Sequence, residues 1–272
     1  MPPLPPLTPP SSSPSSRTSV VAALRAAGCV FAEEEAALIL AAARTPAELA
    51  GLVDLRVSGR PLELVLGWAV FRGLRVAVEP GVFVPRRRTE FLVDQALARV
   101  PDAGVVVDLC CGSGAVGAAL AAALGPVELH AADIDPAAVR CARRNVAAAG
   151  GQVHTGDLFA ALPTGLRGRV DILAANVPYV PSGEVALLPA EAREHEPLIA
   201  LDGGTDGLDV LRRVAAEAPG WLAPGGCLLV ETSERQAPAA VEAVTRGGLK
   251  PRLAVSEEGY AHVVTGKKRQ YR

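Results

Sequence analysis

The 272-residue sequence lacks several features that would assign it to a class of protein at once. Its five cysteines form no C-x-x-C pair and its four histidines are scattered, so we expect neither a disulfide framework nor a metal site. No apolar run of about eighteen residues is free of charge, which predicts a soluble protein without a membrane span. The net charge of -2 and the pI near 6.1 give no overall basic footprint for nucleic acid. Together these absences predict a cytoplasmic protein.

The first segment of the chain is poor in large apolar side chains. Residues 1–18 contain seven prolines and a serine cluster, and they lack the basic start and long apolar centre of a signal peptide. Such a composition cannot bury enough surface to offset the entropy of ordering. We therefore expect a disordered tail.

The hydrophobic period divides the rest of the chain into three predicted parts. Residues 19–67 place apolar side chains three or four positions apart, which predicts a small helical domain. Residues 68–100 begin with a period of two on both sides of Pro80-Gly81, which predicts a β-hairpin with its turn there, followed by a linker helix. Residues 101–272 alternate strands with helices, which predicts a parallel sheet covered on both faces.

The last two strands of that sheet are predicted to run antiparallel, because the connection between them is too short to hold a crossover helix. The predicted strands are residues 105–107, 127–132, 152–155, 170–175, 227–231, 252–255 and 262–265, and the predicted helices include residues 136–149, 206–222 and 235–247.

A glycine-rich loop follows the first strand of the predicted sheet. Residues 112–117 fit the pattern G-x-G-x-x-G between a strand and a helix. Glycine lets the backbone turn sharply and lets a ligand approach closely, and the N-terminus of the helix adds a partial positive charge. Asp133 ends the next strand, where an acidic side chain accepts hydrogen bonds from a ribose. The pattern predicts a nucleoside-containing cofactor, either a nicotinamide dinucleotide or S-adenosylmethionine.

The other signal lies where a later strand ends. The apolar run 171–175 leads into Asn176-Val177-Pro178-Tyr179. Pro178 keeps Val177 extended, so the Asn176 side-chain oxygen and the Val177 carbonyl form a fork of two acceptors beside the Tyr179 ring. Such a fork suits a planar –NH2 group. The absence of a second mononucleotide-binding half and of an obvious hydride-transfer acid also favours S-adenosylmethionine over the dinucleotide.

These residues give the chain a resemblance to the HemK/PrmC family, the protein-(glutamine-N5) methyltransferases that modify peptide chain release factors. The resemblance leaves out only the tail. It is carried by the following segments: 66–68, 83–86, Thr89-Glu90, 108–114, Ala132-Asp133, 156–159, 176–179, Glu196-Pro197 and 201–208.

The resemblance implies an α/β fold, a Rossmann-like S-adenosylmethionine-dependent methyltransferase with seven strands and a reversed last strand, behind a helical substrate-binding domain and a hairpin. The residues that it implies for cofactor binding are Cys110, Cys111, Gly112, Ser113, Gly114, Asp133, Asp157, Leu158 and Asn176. Those that it implies for catalysis are Asn176, Val177, Pro178 and Tyr179. It implies a release factor as the protein partner, with no membrane and with nucleic acid not the main partner. The sequence indicates no oligomeric state.

Two departures from the family pattern stand in the site. The family usually has glycine where this chain has Cys110, and proline where it has Val177. With the tail, these departures suggest a relative whose substrate differs from the usual release factor. The alternative functions are an amino-methyltransferase acting on a base of RNA or DNA, an NAD-dependent oxidoreductase, and a binding protein without catalysis. Two basic runs, 86–88 and 267–269, are compatible with the nucleic-acid alternative.

Overall fold

The computed structural model of the protein describes residues 14–270. Four helices come first in this part of the chain. They are α1 (Pro14–Ala26), α2 (Ala32–Ala42), α3 (Pro46–Val57) and α4 (Leu62–Leu66). The first three share a core of their own that includes Leu24 and Ile39, both fully buried. Helix α1 begins before the predicted end of the tail, so residues 14–18 are helical rather than disordered. The rest of the predicted tail lies outside the described residues.

The predicted hairpin is present, but its turn lies elsewhere. Strands β1 (Trp68–Phe71) and β2 (Leu74–Ala77) pair antiparallel around Arg72-Gly73, whose φ angles are 45° and 73°. Two positive φ angles in a two-residue loop match the twist of the flanking strands, which is why this turn closes the hairpin. Pro80-Gly81 does form a turn, in which the backbone N–H of Val82 donates to the Glu79 carbonyl at 3.1 Å. The prediction that this turn joins the two hairpin strands was wrong, because it follows β2.

A short linker joins the hairpin to the main sheet. It contains a 3-10 turn at Arg87–Thr89 and helix α5 (Glu90–Arg99). The carboxylate of Glu90 accepts a hydrogen bond from the backbone N–H of Arg72 at 2.9 Å. The linker is therefore attached to the tip of the hairpin as well as to the sheet.

The main sheet has seven strands in the order β5-β4-β3-β6-β7-β9-β8. They are β3 (Val105–Leu109), β4 (Glu128–Asp133), β5 (Gln152–Thr155), β6 (Val170–Ala175), β7 (Leu222–Thr232), β8 (Lys250–Val255) and β9 (His262–Lys267). Only β9 runs against the others, pairing antiparallel with both β7 and β8. The predicted sheet with its reversed last strand is confirmed.

Helices cover both faces of this sheet, as the near-continuous apolar strands predict. They are α5, α6 (Ala115–Leu124), α7 (Pro136–Val146), α10 (Asp209–Trp221) and α11 (Ala237–Arg246). Two short helices, α8 (Ala190–His195) and α9 (Leu198–Leu201), follow β6. Alternate side chains of β3 separate the two cores: Val107 packs in the core that includes α10 and α11, and Val106 packs in the core that includes α5 and α6. None of the helices within residues 14–270 is both long and apolar enough to cross a membrane.

The strand order places the functional loops side by side. From β3 the chain builds outward through β4 and β5, and it then returns to the other side of β3 as β6. The last paired residues of β3 and β6 are Leu109 and Ala175. The glycine-rich loop and the Asn176 loop therefore leave neighbouring strands together, at the switch point where open α/β sheets bind ligands.

Candidate functional site

A cleft of about 760 Å³ lies at this switch point. All but one of the predicted site residues line it: Cys110, Cys111, Gly112, Ser113, Asp133, Asp157, Leu158, Asn176, Val177, Pro178 and Tyr179. The exception is Gly114, whose φ is 76° and where a Cβ would lie 3.0 Å from the Cβ of Ala142. Its lack of a side chain serves the packing of α6 against α7.

The loop after β3 is attached to the end of β4. The backbone N–H of Gly112 donates to the Asp133 carboxylate at 2.8 Å, and the backbone N–H of Cys111 donates to the Ala132 carbonyl at 3.1 Å. Cys110 has a φ of 52°, in the left-handed region that favours glycine. Cys110 thus adopts a backbone conformation that suits the glycine usual in the family at this position.

Two carboxylates on this side of the cleft have no cationic partner among residues 14–270. Burial raises the pKa of Asp108 to about 8, and burial also raises the pKa of Asp133. By contrast, the lining arginines are each paired with a carboxylate: Arg86 with Glu196, Arg88 with Glu231 and Arg213 with Asp157. Burial disfavours the charged form of both carboxyl groups, and a cation bound beside them would favour it.

These residues fit S-adenosylmethionine, which carries a sulfonium and an ammonium group as well as a ribose. The carboxylate of Asp133 accepts from Gly112 and, at 2.9 Å, from the backbone N–H of Asp135. Each carboxylate oxygen has a further lone pair that can accept from a ribose hydroxyl. A dinucleotide would place its negatively charged pyrophosphate beside two carboxyl groups that have no cationic partner within residues 14–270, so ionisation of either group would oppose its binding.

The loop that follows β5 forms the far end of the cofactor side of the cleft. Leu158 is buried and has a φ of 48°. Its neighbour Asp157 accepts a hydrogen bond from Arg213 of α10 at 2.6 Å. The Arg213 contact orients Asp157 beside the place where the resemblance puts an adenine.

Asn176 offers an acceptor without a partner. Its Nδ2 donates to the Thr89 hydroxyl at 3.4 Å, whereas its Oδ1 is buried and accepts from no residue within 14–270. Over the same range the Val177 carbonyl accepts no hydrogen bond either. Buried acceptors are normally satisfied, so two unsatisfied ones in adjacent residues on a cleft indicate a place for a ligand with two N–H donors.

Tyr179 is held at both ends. Its hydroxyl donates to Glu231 Oε1 at 3.2 Å and receives a hydrogen bond from the Arg88 guanidinium. Its carbonyl accepts from the Gln236 side chain at 2.8 Å. Burial and the Glu231 carboxylate raise the pKa of Tyr179, so the hydroxyl stays protonated at neutral pH.

A glycine run supports the back of this loop. A Cβ at Gly203 would lie 2.6 Å from the Pro178 carbonyl oxygen, and a Cβ at Gly207 would lie 2.2 Å from the Tyr179 carbonyl oxygen. The backbone N–H of Gly203 also donates to the Val180 carbonyl at 2.8 Å. Only residues without side chains allow the two backbones to approach this closely.

The basic runs do not form a phosphate-binding surface at the cleft. Arg86 and Arg88 are paired with the buried carboxylates of Glu196 and Glu231. In the second run, Lys268 Nζ donates to the carbonyls of Pro219 and Leu222 at 2.7 Å. This run follows the C-terminal end of the reversed strand β9, so it lies at the edge of the sheet opposite the cleft.

Comparison with known proteins agrees with this geometry. Residues 73–190 match the model of the methyltransferase small domain. A release factor glutamine methyltransferase from Geobacter sulfurreducens is 40% identical over 75% of this chain and 72% of its own length. The chain belongs to the release factor glutamine methyltransferase family.

The chain is also similar to methyltransferases whose names mention no release factor. A 4-amino-L-phenylalanine/4-methylamino-L-phenylalanine methyltransferase from Streptomyces pristinaespiralis is 38% identical over 68% of the chain and 65% of its own length. Among solved structures, a methyltransferase from Pyrococcus furiosus has a TM-score of 0.54 at 17% identity, covering 72% of this chain and 90% of that one. This likeness extends to the fold alone.

Several residues contact the predicted site of this methyltransferase, although no sequence pattern placed them there. They are Arg88, Thr89, Glu231 and Gln236. One signal was available for Glu231, because a polar residue at the carboxyl end of a buried strand is typical of a site. For Gln236, at the start of α11, no pattern indicated a contact with a loop 57 residues earlier.

Proposed function

We propose that this chain transfers the methyl group of S-adenosylmethionine to the side-chain amide nitrogen (N5) of a glutamine in a peptide chain release factor. Its family carries out this reaction, and the cleft has the matching acceptors. The observation that carries the proposal is the pair of unsatisfied oxygens, Asn176 Oδ1 and the Val177 carbonyl, beside the Tyr179 ring.

A glutamine amide presents two N–H donors in one plane, and the two oxygens accept one each. Thr89 accepts from Asn176 Nδ2, which leaves the Asn176 oxygen for the substrate. Tyr179 packs against the amide plane. Replacing proline by Val177 keeps the carbonyl, and Pro178 still favours an extended conformation at this position.

When bound, the cofactor supplies a methyl group activated by its sulfonium sulfur. The amide nitrogen is a poor nucleophile because its lone pair is delocalised, so the protein acts mainly by alignment. Holding the reacting atoms in line supplies roughly 7–11 kcal/mol in favourable cases. Acceptors at Asn176 and Val177 stabilise the nitrogen as it gains positive charge, an interaction that strengthens in the transition state.

The cofactor-binding residues of the proposal are those at the end of β3, β4 and β5. The loop 110–113 lines the methionine part, the Asp133 carboxylate accepts from the ribose hydroxyls, and Asp157 with Leu158 borders the adenine. The positive charge of the bound cofactor would favour ionisation of the Asp108 and Asp133 carboxyl groups, whose pKa values burial raises. The helical region 19–67 is proposed to bind the release factor.

A labelling experiment tests the proposal against its alternatives. The protein is incubated with methyl-labelled S-adenosylmethionine and, separately, release factors, total RNA, DNA or free 4-amino-L-phenylalanine. We expect label in the release factor, located by mass spectrometry on a glutamine side chain. Label in nucleic acid alone, or in the free amino acid alone, would contradict the proposed substrate while leaving the methyl-transfer activity in place.

A further inference from the structure

Arg88 contacts Tyr179 of the predicted catalytic loop, although it lies 91 residues earlier in the sequence. It belongs to the 3-10 turn Arg87–Thr89 of the linker. Its Nε donates to Glu231 Oε1 at 3.0 Å, its Nη2 donates to the Tyr179 hydroxyl, and its guanidinium carbon lies 5.6 Å from the centre of the Tyr179 ring. The three side chains thus form a closed triangle of contacts.

Glu231 is the buried member of this triangle. It lies next to the end of β7, is 2% exposed, and has an Oε2 atom with no partner within residues 14–270. A carboxylate at such a depth is costly without a cation and hydrogen bonds. Its carboxylate accepts hydrogen bonds from Arg88 and Tyr179, so the buried Glu231 side chain helps to hold the tyrosine ring in position.

We infer that Arg88 and Glu231 are positioning residues that together fix the Tyr179 ring against the plane of the substrate amide. The inference rests on the proposed function. A ring held only by its own loop would rotate about two side-chain bonds. Hydrogen bonds to the hydroxyl from two directions remove that freedom, because the hydroxyl is the point farthest from the backbone.

The pairing of the two charges also suits the chemistry. The amide nitrogen gains positive charge as its bond to the methyl carbon forms, so an isolated guanidinium nearby would oppose the reaction. Glu231 neutralises Arg88 at 3.0 Å. The pair therefore supplies rigid hydrogen bonding to Tyr179 with little net charge.

The same turn also reaches the other half of the acceptor site. Thr89, the neighbour of Arg88, is 2% exposed and accepts from Asn176 Nδ2. Two consecutive residues of the linker thus contact two members of the catalytic loop, Asn176 and Tyr179. The linker sets the relative placement of the amide acceptor and the ring.

A double-mutant cycle tests the inference. The variants are Arg88→Met, Tyr179→Phe and the two combined, and the measurements are kcat, KM for the release factor and the calorimetric Kd for the cofactor. If Arg88 acts through the tyrosine hydroxyl, Arg88→Met lowers kcat by about tenfold in the wild type and by less than about twofold in Tyr179→Phe. Cofactor Kd stays within about twofold, because the cofactor residues are untouched. Equal losses of kcat in the two backgrounds would overturn the inference.

A matched control is available on the same turn. The Arg87 side chain is exposed and has no hydrogen bond or ion pair within residues 14–270, so Arg87→Met is expected to leave kcat unchanged.

If Arg88→Met does not fold because it leaves the buried Glu231 carboxylate without its cation, Glu231→Gln in the same cycle removes that charge and gives the same test. Should the wild type label a different acceptor, the proposed function fails, and the cycle on that acceptor still decides the positioning roles. If the wild type transfers no methyl group at all, both are wrong.

Discussion

The two walls of the cleft are assembled in different ways. The cofactor wall consists of loops that directly follow β3, β4 and β5, in which Gly112 contacts Asp133 and Arg213 of α10 contacts Asp157. The substrate wall is a single loop after β6, but its side chains depend on residues from the linker and from β7, which are 143 positions apart. We therefore expect cofactor binding to depend on the sheet and its helices, whereas methyl transfer depends on the linker as well.

The sharpest test of this division is Asn176→Ala. Loss of one of two preorganised acceptors is expected to lower kcat by about 10³-fold, because the amide is then neither aligned nor stabilised. The resemblance also places Asn176 beside the cofactor, but the loop 110–113, Asp133 and Asp157 are unchanged in this variant. The calorimetric Kd for S-adenosylmethionine is therefore expected to change less than about threefold. A parallel loss of cofactor affinity would mean that the two walls are not separable.

Asp108 tests the acidic character of the cofactor wall. Burial raises its pKa from 3.8 to about 8, so between these pH values the folded state holds a proton that the unfolded state has released. The free energy of unfolding then falls as pH rises through this window. Asp108→Asn is neutral at every pH and still accepts from the Gly117 N–H.

We therefore expect the free energy of unfolding of the wild type without cofactor to fall by about 4 kcal/mol relative to that of Asp108→Asn between pH 5 and pH 9, at about 1.4 kcal/mol per pH unit up to the folded-state pKa. Urea unfolding of both proteins across this range measures the difference. Parallel pH profiles would show that Asp108 is ionised in the folded protein.

On the substrate wall, Gly207→Ala tests the close approach of two backbones. The new Cβ would lie 2.2 Å from the Tyr179 carbonyl oxygen at a φ of 77°, so the catalytic loop must move. We expect kcat to fall by about 10²-fold, since small misplacements of aligned groups have such effects. Gly183→Ala is the control, because that position has an ordinary φ and open space within 4 Å, and its kcat should match the wild type.

The smallest expected effect is that of restoring glycine at position 110. Relief of a left-handed φ is worth about 1–2 kcal/mol, and the greater freedom of glycine in the unfolded chain offsets about 0.5–1 kcal/mol. Cys110→Gly should therefore raise the free energy of unfolding by about 0.5–1 kcal/mol, read from denaturant midpoints. Cys111→Gly, at a buried position outside the left-handed region, should be destabilising instead. Loss of stability in both variants would rule out strain at Cys110.

The sequence predicted most of the sheet because buried parallel strands are short apolar runs with clear ends. Strands β5 and β6 begin and end at the predicted residues. The hairpin turn was misplaced because Pro80-Gly81 has the stronger turn composition, whereas the positive φ of Arg72 has no signature in the sequence.

The candidate site divides in the same way. The residues predicted for the cofactor side directly follow three strands, so the sequence could indicate that they lie at one cleft, except for Gly114, whose packing role depends on α7. The partners of the catalytic loop were not, because Arg88, Glu231 and Gln236 meet only after the linker, β7 and α11 have packed. The roles of all these residues in catalysis remain predictions.

The position of the turn Arg87–Thr89 has a consequence for how this protein divides into parts. By the pattern of its strands, the catalytic unit begins near β3, yet two of the side chains that orient its reactive loop precede that strand. A fragment that begins at residue 101 would lack Arg88 and Thr89, and with them the contacts to Tyr179 and Asn176. It would also lack α5, whose Leu92 and Val93 are fully buried against the sheet. The linker therefore belongs to the catalytic unit.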